Sequence, residues 1–88
     1  MNANAARSVE ETIRKYLHEQ FAAATGNSLP GDTESLREAG IVDSMGVLAI
    51  ILFVEETFAI TVSDDDVRPA NFDSIANMAA YVRRMQAI

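Results

Sequence analysis

The stretch Gly40-Ile41-Val42-Asp43-Ser44-Met45-Gly46-Val47-Leu48-Ala49-Ile50-Ile51-Leu52-Phe53-Val54-Glu55-Glu56-Thr57-Phe58 decides how the rest of the chain is read. A glycine-containing loop gives way at Asp43-Ser44, and either residue has the short polar side chain that caps a helix N-terminus. A helix is therefore predicted from Asp43 or Ser44 to about Phe58. Val47, Ile50, Ile51, Val54 and Phe58 recur at helical spacing and form one face to be buried. Met45, Leu48, Ala49 and Leu52 lie toward the opposite side, where a surface helix normally carries polar residues. An apolar circumference implies either full burial or an outer face that meets a partner. A chain of 88 residues can hardly bury a helix on all sides, which favours the partner.

Ser44 draws attention within this stretch. A serine at a helix start presents its hydroxyl to solvent, and the free N–H groups of the first turn favour an anion attached there. Asp43 opposes such an anion slightly, and solvent screening keeps that repulsion small. The plain alternative is that Asp43 or Ser44 does no more than cap the helix, and as a dipeptide Asp-Ser is common.

On the N-terminal side, Ser8-Val9-Glu10-Glu11 has the capping-box form, so a first helix is predicted to begin at Ser8. Val9, Ile13, Tyr16, Leu17, Phe21 and Ala24 give it one apolar stripe, with Arg14, Lys15, His18 and Glu19 on the other side, and Thr25-Gly26 ends it. Residues 27–42 lose this periodicity and carry Pro30, Gly31 and Gly40. So long a loop in a small domain is functional or pinned down by side chains, and Leu29, Leu36 and Ile41 are the expected pins. After Phe58, Ile60-Thr61-Val62 is too short to pair as a strand and reads as an extended linker. Ser63-Asp64-Asp65-Asp66 resembles the start of a one-turn helix, with acids where the helix dipole favours them, and Pro69 stops that helix or follows its end. A last helix should start at Asp73 or Ser74, with Ile75, Met78, Ala79, Val82 and Met85 as its stripe and Arg83 and Arg84 in its final turn. The fold class is all-α, with three main helices and one short third helix.

Composition limits the functions available. Hydrophobic residues make up 49% of the chain and charged residues 23%, the balance of a folded single domain with no room for a deep catalytic cleft. There is no cysteine, so disulfides and thiolate metal sites are excluded, a cytoplasmic setting is expected, and any thioester chemistry needs a thiol from outside the polypeptide. The net charge of −6 argues against nucleic acid and anionic membrane surfaces as partners. Nine acidic residues lie between Asp32 and Asp66 against Arg37 alone, which would steer a basic partner toward the middle of the protein or merely keep it soluble. No secretory signal or membrane span is expected: residues 1–6 are small and polar, and the longest apolar run, residues 47–54, is too short. His18, the only histidine, has no sequence-adjacent partner and reads as a surface residue. The aspartate run lacks the spaced ligands of a calcium loop, so no metal site is expected. Neither a phosphate loop nor a nucleophile elbow is present, and the chain does not read as an enzyme.

The order of several short motifs resembles the acyl/peptidyl carrier protein family over nearly the whole chain. These are Leu36 and Gly40 ahead of Asp43-Ser44-Met45, the apolar helix, Glu55-Glu56-Thr57-Phe58, Ile60 and Val62, Asp64-Asp65-Asp66-Val67, and Asn71-Phe72-Asp73-Ser74-Ile75. The resemblance implies a four-helix bundle of acyl-carrier-protein type, with residues 1–7 a flexible N-terminus and residues 8–88 the carrier domain. It implies that Ser44, flanked by Asp43, carries a covalent 4′-phosphopantetheine arm, installed from coenzyme A by a phosphopantetheinyl transferase. The arm's thiol then holds an acyl or aminoacyl group as a thioester.

Met45 replaces the family's usual leucine, a swap that nearly conserves volume. A larger departure follows it. Fatty-acid-type carriers bear carboxylates on the early exposed turns of this helix, whereas residues 45–54 here hold no charge, with Gly46, Leu48 and Ala49 where acids would be expected. In this the chain is more similar to stand-alone amino-acid or D-alanyl carrier proteins, served by an adenylate-forming acyl or aminoacyl ligase and followed by an acyltransferase or condensing enzyme. Docking would use Met45, Leu48 and Leu52 in an apolar groove of the partner, with Glu55, Glu56 and Asp43 at the rim, the carrier itself being a monomer. The alternatives are a carrier for a fatty-acid or polyketide pathway and a helical adaptor with no prosthetic group.

Overall fold

The structure, a computed structural model, describes residues 3–23, 26 and 28–88, the side chains of residues 3–8 excepted. Helix α1 spans Ala3–Leu17 and runs on into a π turn, His18–Ala22. It starts five residues before the predicted Ser8. Ala3, Ala5 and Ala6 are the strongest helix formers and carry the helix N-terminally of its apolar stripe, placing Ser8 within it rather than at its cap. The stripe holds: Val9, Ile13 and Leu17 are buried. Ala24 and Thr25 lie outside the described residues.

Helix α2, Ser44–Phe58, buries Gly46, Ile50, Ile51 and Val54. Aromatic rings fasten α1 to it. Tyr16 stacks on Phe53 with centroids 3.9 Å apart, its hydroxyl donates to the Ala49 carbonyl at 3.2 Å, and it meets the Phe21 ring edge to face at 6.2 Å. Ala59 caps α2 in the left-handed region, at φ 56°. The linker then runs extended to Val62, which is buried, and the Glu55 carboxylate accepts the Val62 N–H at 2.9 Å.

The short third element comes in two pieces. Asp64–Asp66 forms a 3-10 turn capped by Ser63, and Pro69–Phe72 forms α3. Pro69 follows the end of that turn, one of its two expected places, and also opens α3, because the first helical position needs no N–H and suits the fixed φ of proline. Both pieces are tied to the last helix, α4, Ile75–Gln86, capped by Ser74. The Tyr81 hydroxyl donates to the Asp66 carboxylate at 2.8 Å, Asn71 Nδ2 donates to the Asp66 carbonyl, and Arg84 lies over the Tyr81 ring while bonding Asn71. Arg83 reaches α1 and donates twice to Glu10, at 2.6 and 2.8 Å. A partly exposed pair of this kind contributes at most about 1 kcal/mol. Full burial of a single Ile or Leu contributes about 1.5–3 kcal/mol, so the core that gathers Ile13, Leu17, Leu36, Ile50, Val54, Ile75, Met78 and Val82 dominates.

The loop after α1 is pinned as its apolar residues imply. Leu36 and Ile41 are buried and Leu29 packs against the core. The stronger pin is polar. Asp73, between α3 and α4, accepts from the Ser35 hydroxyl and the Arg37 N–H through its carboxylate and from the Leu36 N–H through its carbonyl, while the Ala76 N–H bonds the Asp32 carbonyl. Arg14 pairs with Asp32 and donates to the Pro30 carbonyl. Gly40 closes the loop at φ 75°, a left-handed conformation that glycine adopts without strain, and sets Ile41 into the core and Asp43 at the head of α2.

Two outcomes follow from these contacts. Replacing Asp73 with alanine orphans the Ser35 hydroxyl and the Arg37 amide, and should lower stability by about 1–3 kcal/mol in urea unfolding. Burial, then the hydrogen bond to Asp66 and its charge, raise the Tyr81 hydroxyl above its ordinary pKa of 10.0. Its contribution is complete below the unfolded value and is lost as pH rises through the folded one. Thermal melts should therefore fall in midpoint as pH climbs past 10. Tyr81→Phe should flatten that decline, leaving the part due to Tyr16, which burial raises likewise.

Candidate functional site

The start of α2 divides its polar tasks between two residues. Asp43 is the N-cap, with extended backbone, and its Oδ1 accepts the Gly46 N–H at 2.9 Å. Its carbonyl accepts the Val47 N–H at 3.1 Å, the first bond of the helix. Ser44 is thus the first helical residue, exposed, with its hydroxyl unused by any described residue. Among the described residues the Ser44 and Met45 amides have no acceptor, as expected for a helix start.

Ser44 borders a cavity of about 190 Å³ between α2 and α3, walled by Val42, Val47, Leu48, Val67 and Phe72 and edged by Arg37, Arg68 and Asp73. On its other side lies a broad open depression lined by Phe21, Gly40, Asp43 and Met45. Ser44 therefore borders both concave surfaces.

The other residues singled out in the sequence separate into two groups. Met45, Leu48 and Leu52 are 74, 56 and 60% exposed and follow one another along a single outer face of α2. Glu56 is exposed near the end of that row, whereas Glu55 is half-buried and holds the Val62 amide. Gly46 does not stand on the outer face at all. It is buried, and a Cβ there would lie 3.0 Å from both the Phe21 ring and the Val42 side chain. Helical spacing does put Gly46 one turn ahead of Ile50 on the buried face, but the close approach of Phe21, from the π turn that follows α1, is not legible in it. His18 is exposed. Arg37 and Arg68, which line the cavity, stand in no sequence motif that marks a site. The one available signal was Arg37 as the lone base in an acidic stretch.

The chain is thus a small helical bundle with an exposed, unengaged serine at the head of an apolar helix. Residues 15–82 match the family described as "Phosphopantetheine attachment site", and the chain belongs to that family. It is 27% identical over 79 residues to the "Probable acyl carrier protein PigG" of a Serratia species, covering 90% of each chain. It is 29% identical over 75 residues to the "D-alanyl carrier protein" of Lactobacillus delbrueckii subsp. bulgaricus, covering 84% of this chain and 94% of the relative. The family carries 4′-phosphopantetheine covalently on a serine, and this chain is accordingly a carrier protein, a class that displays its cargo and leaves catalysis to others. Family membership sets aside the helical adaptor without a prosthetic group. Among the described residues, no helix is long and apolar enough to cross a membrane.

The burial of Gly46 separates two substitutions that look alike in sequence. Gly46→Glu must push Phe21 and Val42 aside and should cost about 1–3 kcal/mol of overpacking. Leu48→Glu, on the exposed face, should stay within about 0.5 kcal/mol of the parent. Urea unfolding of the two variants side by side checks this.

Proposed function

We propose that Ser44 is the serine that bears the 4′-phosphopantetheine arm. The observation that carries this reading is the division of labour at the head of α2, where Asp43 caps the helix and leaves the Ser44 hydroxyl without an internal task. Five serines fall within residues 15–82. Ser35 donates to Asp73, Ser63 accepts the Asp65 N–H, and Ser74 is buried and accepts the Asn77 N–H. Ser28 is exposed but lies in the loop. Ser44 alone joins exposure to a helix start, where unclaimed first-turn amides and the positive end of the helix dipole favour a phosphodiester.

The residues present fit the group. On the transferase, the Ser44 Oγ bonds to the phosphorus of coenzyme A as the pyrophosphate bond breaks. Its proton passes to a base of the transferase and adenosine 3′,5′-bisphosphate leaves. Once attached, the arm supplies the thiol that this cysteine-free chain lacks. Asp43 holds the helix head in register, and the pinned loop keeps Ser44 at the surface.

For the cargo we infer an amino acid or short acyl group, activated as an adenylate by a separate ligase and passed on to an acyltransferase or condensing enzyme. Support comes from the uncharged outer face of α2, which suits an apolar groove on the partner, and from the likeness to a protein named as a D-alanyl carrier. Met45, Leu48 and Leu52 would make the central contact, with Asp43, Glu55 and Glu56 at its edge. The name of the Serratia relative favours a second reading, an acyl carrier of a fatty-acid or polyketide pathway.

Incubating the apo-protein with coenzyme A and a broad-specificity phosphopantetheinyl transferase should add the mass of one phosphopantetheine, and Ser44→Ala should abolish the gain. A gain that survives this substitution would overturn the assignment. Offered to amino-acid-activating and fatty-acyl ligases in parallel, the holo-protein should load from the former. Leu52→Glu should slow loading at least tenfold while leaving the unfolding midpoint unchanged, and equal loading would remove the docking face.

A further inference from the structure

We infer that Arg37 and Arg68 form a two-point clamp for the phosphodiester that links the arm to the chain, a role that rests on Ser44 as the attachment residue. The two residues stand 31 positions apart in sequence, in the pinned loop and at the head of α3, yet both line the cavity that Ser44 borders.

That neither side chain has an ion-pair partner among the described residues is the central point. Arg14 pairs with Asp32, Arg83 with Glu10, and Arg84 is spent on Tyr81 and Asn71. No carboxylate of the described residues lies within ion-pair distance of Arg37 or Arg68, although nine acids crowd the stretch from Asp32 to Asp66. Asp73, the acid at the same cavity, turns its carboxylate onto the Ser35 hydroxyl and the Arg37 backbone amide, so it fixes the Arg37 main chain without neutralising its side chain. Arg68 is oriented as well: its Nε donates to the Asp65 carbonyl at 2.9 Å, which leaves both Nη groups for another acceptor.

Two guanidiniums without anions, beside a serine expected to carry one, match a single negative charge with two oxygens free to accept. Arginine suits a phosphate ester through its planar fork of donors. The apolar wall beyond, formed by Val47, Leu48 and Val67, suits the two methyl groups that follow the phosphate in pantetheine. The clamp would fix the root of the arm over this cavity while the thiol end remains free to reach a partner. It would also keep a cationic aminoacyl group out of the cavity by like-charge repulsion.

The test uses the whole chain in apo and holo forms. Intact mass first confirms attachment, and no gain removes both the Ser44 assignment and the clamp. With holo-protein in hand, the guanidinium nitrogen signals of Arg37 and Arg68 in 15N spectra should shift between apo and holo while those of Arg14 and Arg83 stay in place. Unchanged Arg37 and Arg68 signals would overturn the clamp and leave the attachment intact. In the double variant Arg37→Gln with Arg68→Gln, the 31P line of the holo-protein should narrow and move toward that of a short phosphopantetheinyl-serine peptide. A line identical to the parent's would equally overturn it. The apo/holo comparison needs no variant, so it decides even if the double variant folds poorly.

Discussion

A single hydrogen bond, from the Gly46 N–H to the Asp43 carboxylate at 2.9 Å, decides what the head of α2 can do. A helix start leaves its first amides without partners, and a short polar side chain normally satisfies one of them. In Asp43-Ser44 two adjacent residues could do this. Because Asp43 adopts the extended backbone of a cap and bends its carboxylate over the turn, Ser44 falls one place later, inside the helix, with its hydroxyl outward. Had Ser44 been the cap, its oxygen would have pointed back at the helix amides and been half-occupied. The same bond requires the loop to arrive in one orientation. The Asp73 clip and the left-handed Gly40 provide that orientation.

The acids of the central stretch have a different meaning in the structure from the one their density gives in the sequence. Asp32 holds Arg14, Glu34 accepts the Gly31 amide, Asp43 caps α2, Glu55 holds the linker amide of Val62 and Asp66 holds Tyr81. Most of this negative charge is tied into caps and clips, and Glu38, Glu56, Asp64 and Asp65 are the exposed acids whose carboxylates have no such bond. A hydrogen bond from a neutral donor leaves a carboxylate its charge, so of the nine only Asp32, paired with Arg14, is neutralised among the described residues, and the same acids serve local structure and surface charge at once.

The parts of the fold that were legible in the sequence are those set by local periodicity. The two faces of α2, the stripe of α1, the start of α4 at Ser74 and the pinning of Leu36 and Ile41 all follow from helical spacing and capping chemistry. Boundaries failed where local signals competed. The capping box at Ser8 lost to the helix propensity of the alanines before it, and Pro69, which follows the end of the aspartate turn as expected, also opens a further short helix that no periodicity announces. What the sequence withheld depends on residues far apart along the chain. The notch at Gly46 is defined by Phe21, the loop clip by Asp73, and the pair Arg37 and Arg68 by the approach of the loop to α3. Ser44 was legible because its exposure follows from helix position alone.

Helix α2 raises a question that burial by itself does not answer, since both of its faces are apolar and either would gain by turning inward. Met45, Leu48 and Leu52 have as much surface to bury as Ile50, Ile51 and Val54, so the hydrophobic effect scarcely chooses between the two rotations. The choice is made by shape and by directional contacts. Gly46 opens a notch on one face that receives the edge of Phe21, whereas the opposite face has no residue small enough to do so beyond Ala49. Tyr16 adds a stacked ring against Phe53 and a hydrogen bond to the Ala49 carbonyl, both available in one rotation only. The Asp43 cap fixes the phase from the other end. Rotating the helix to hide Met45, Leu48 and Leu52 would empty the notch, unstack Phe53 and turn Ser44 away from the cavity it borders. The exposed apolar row is therefore the face left over by a specific packing choice, and the choice that exposes it is the one that presents Ser44.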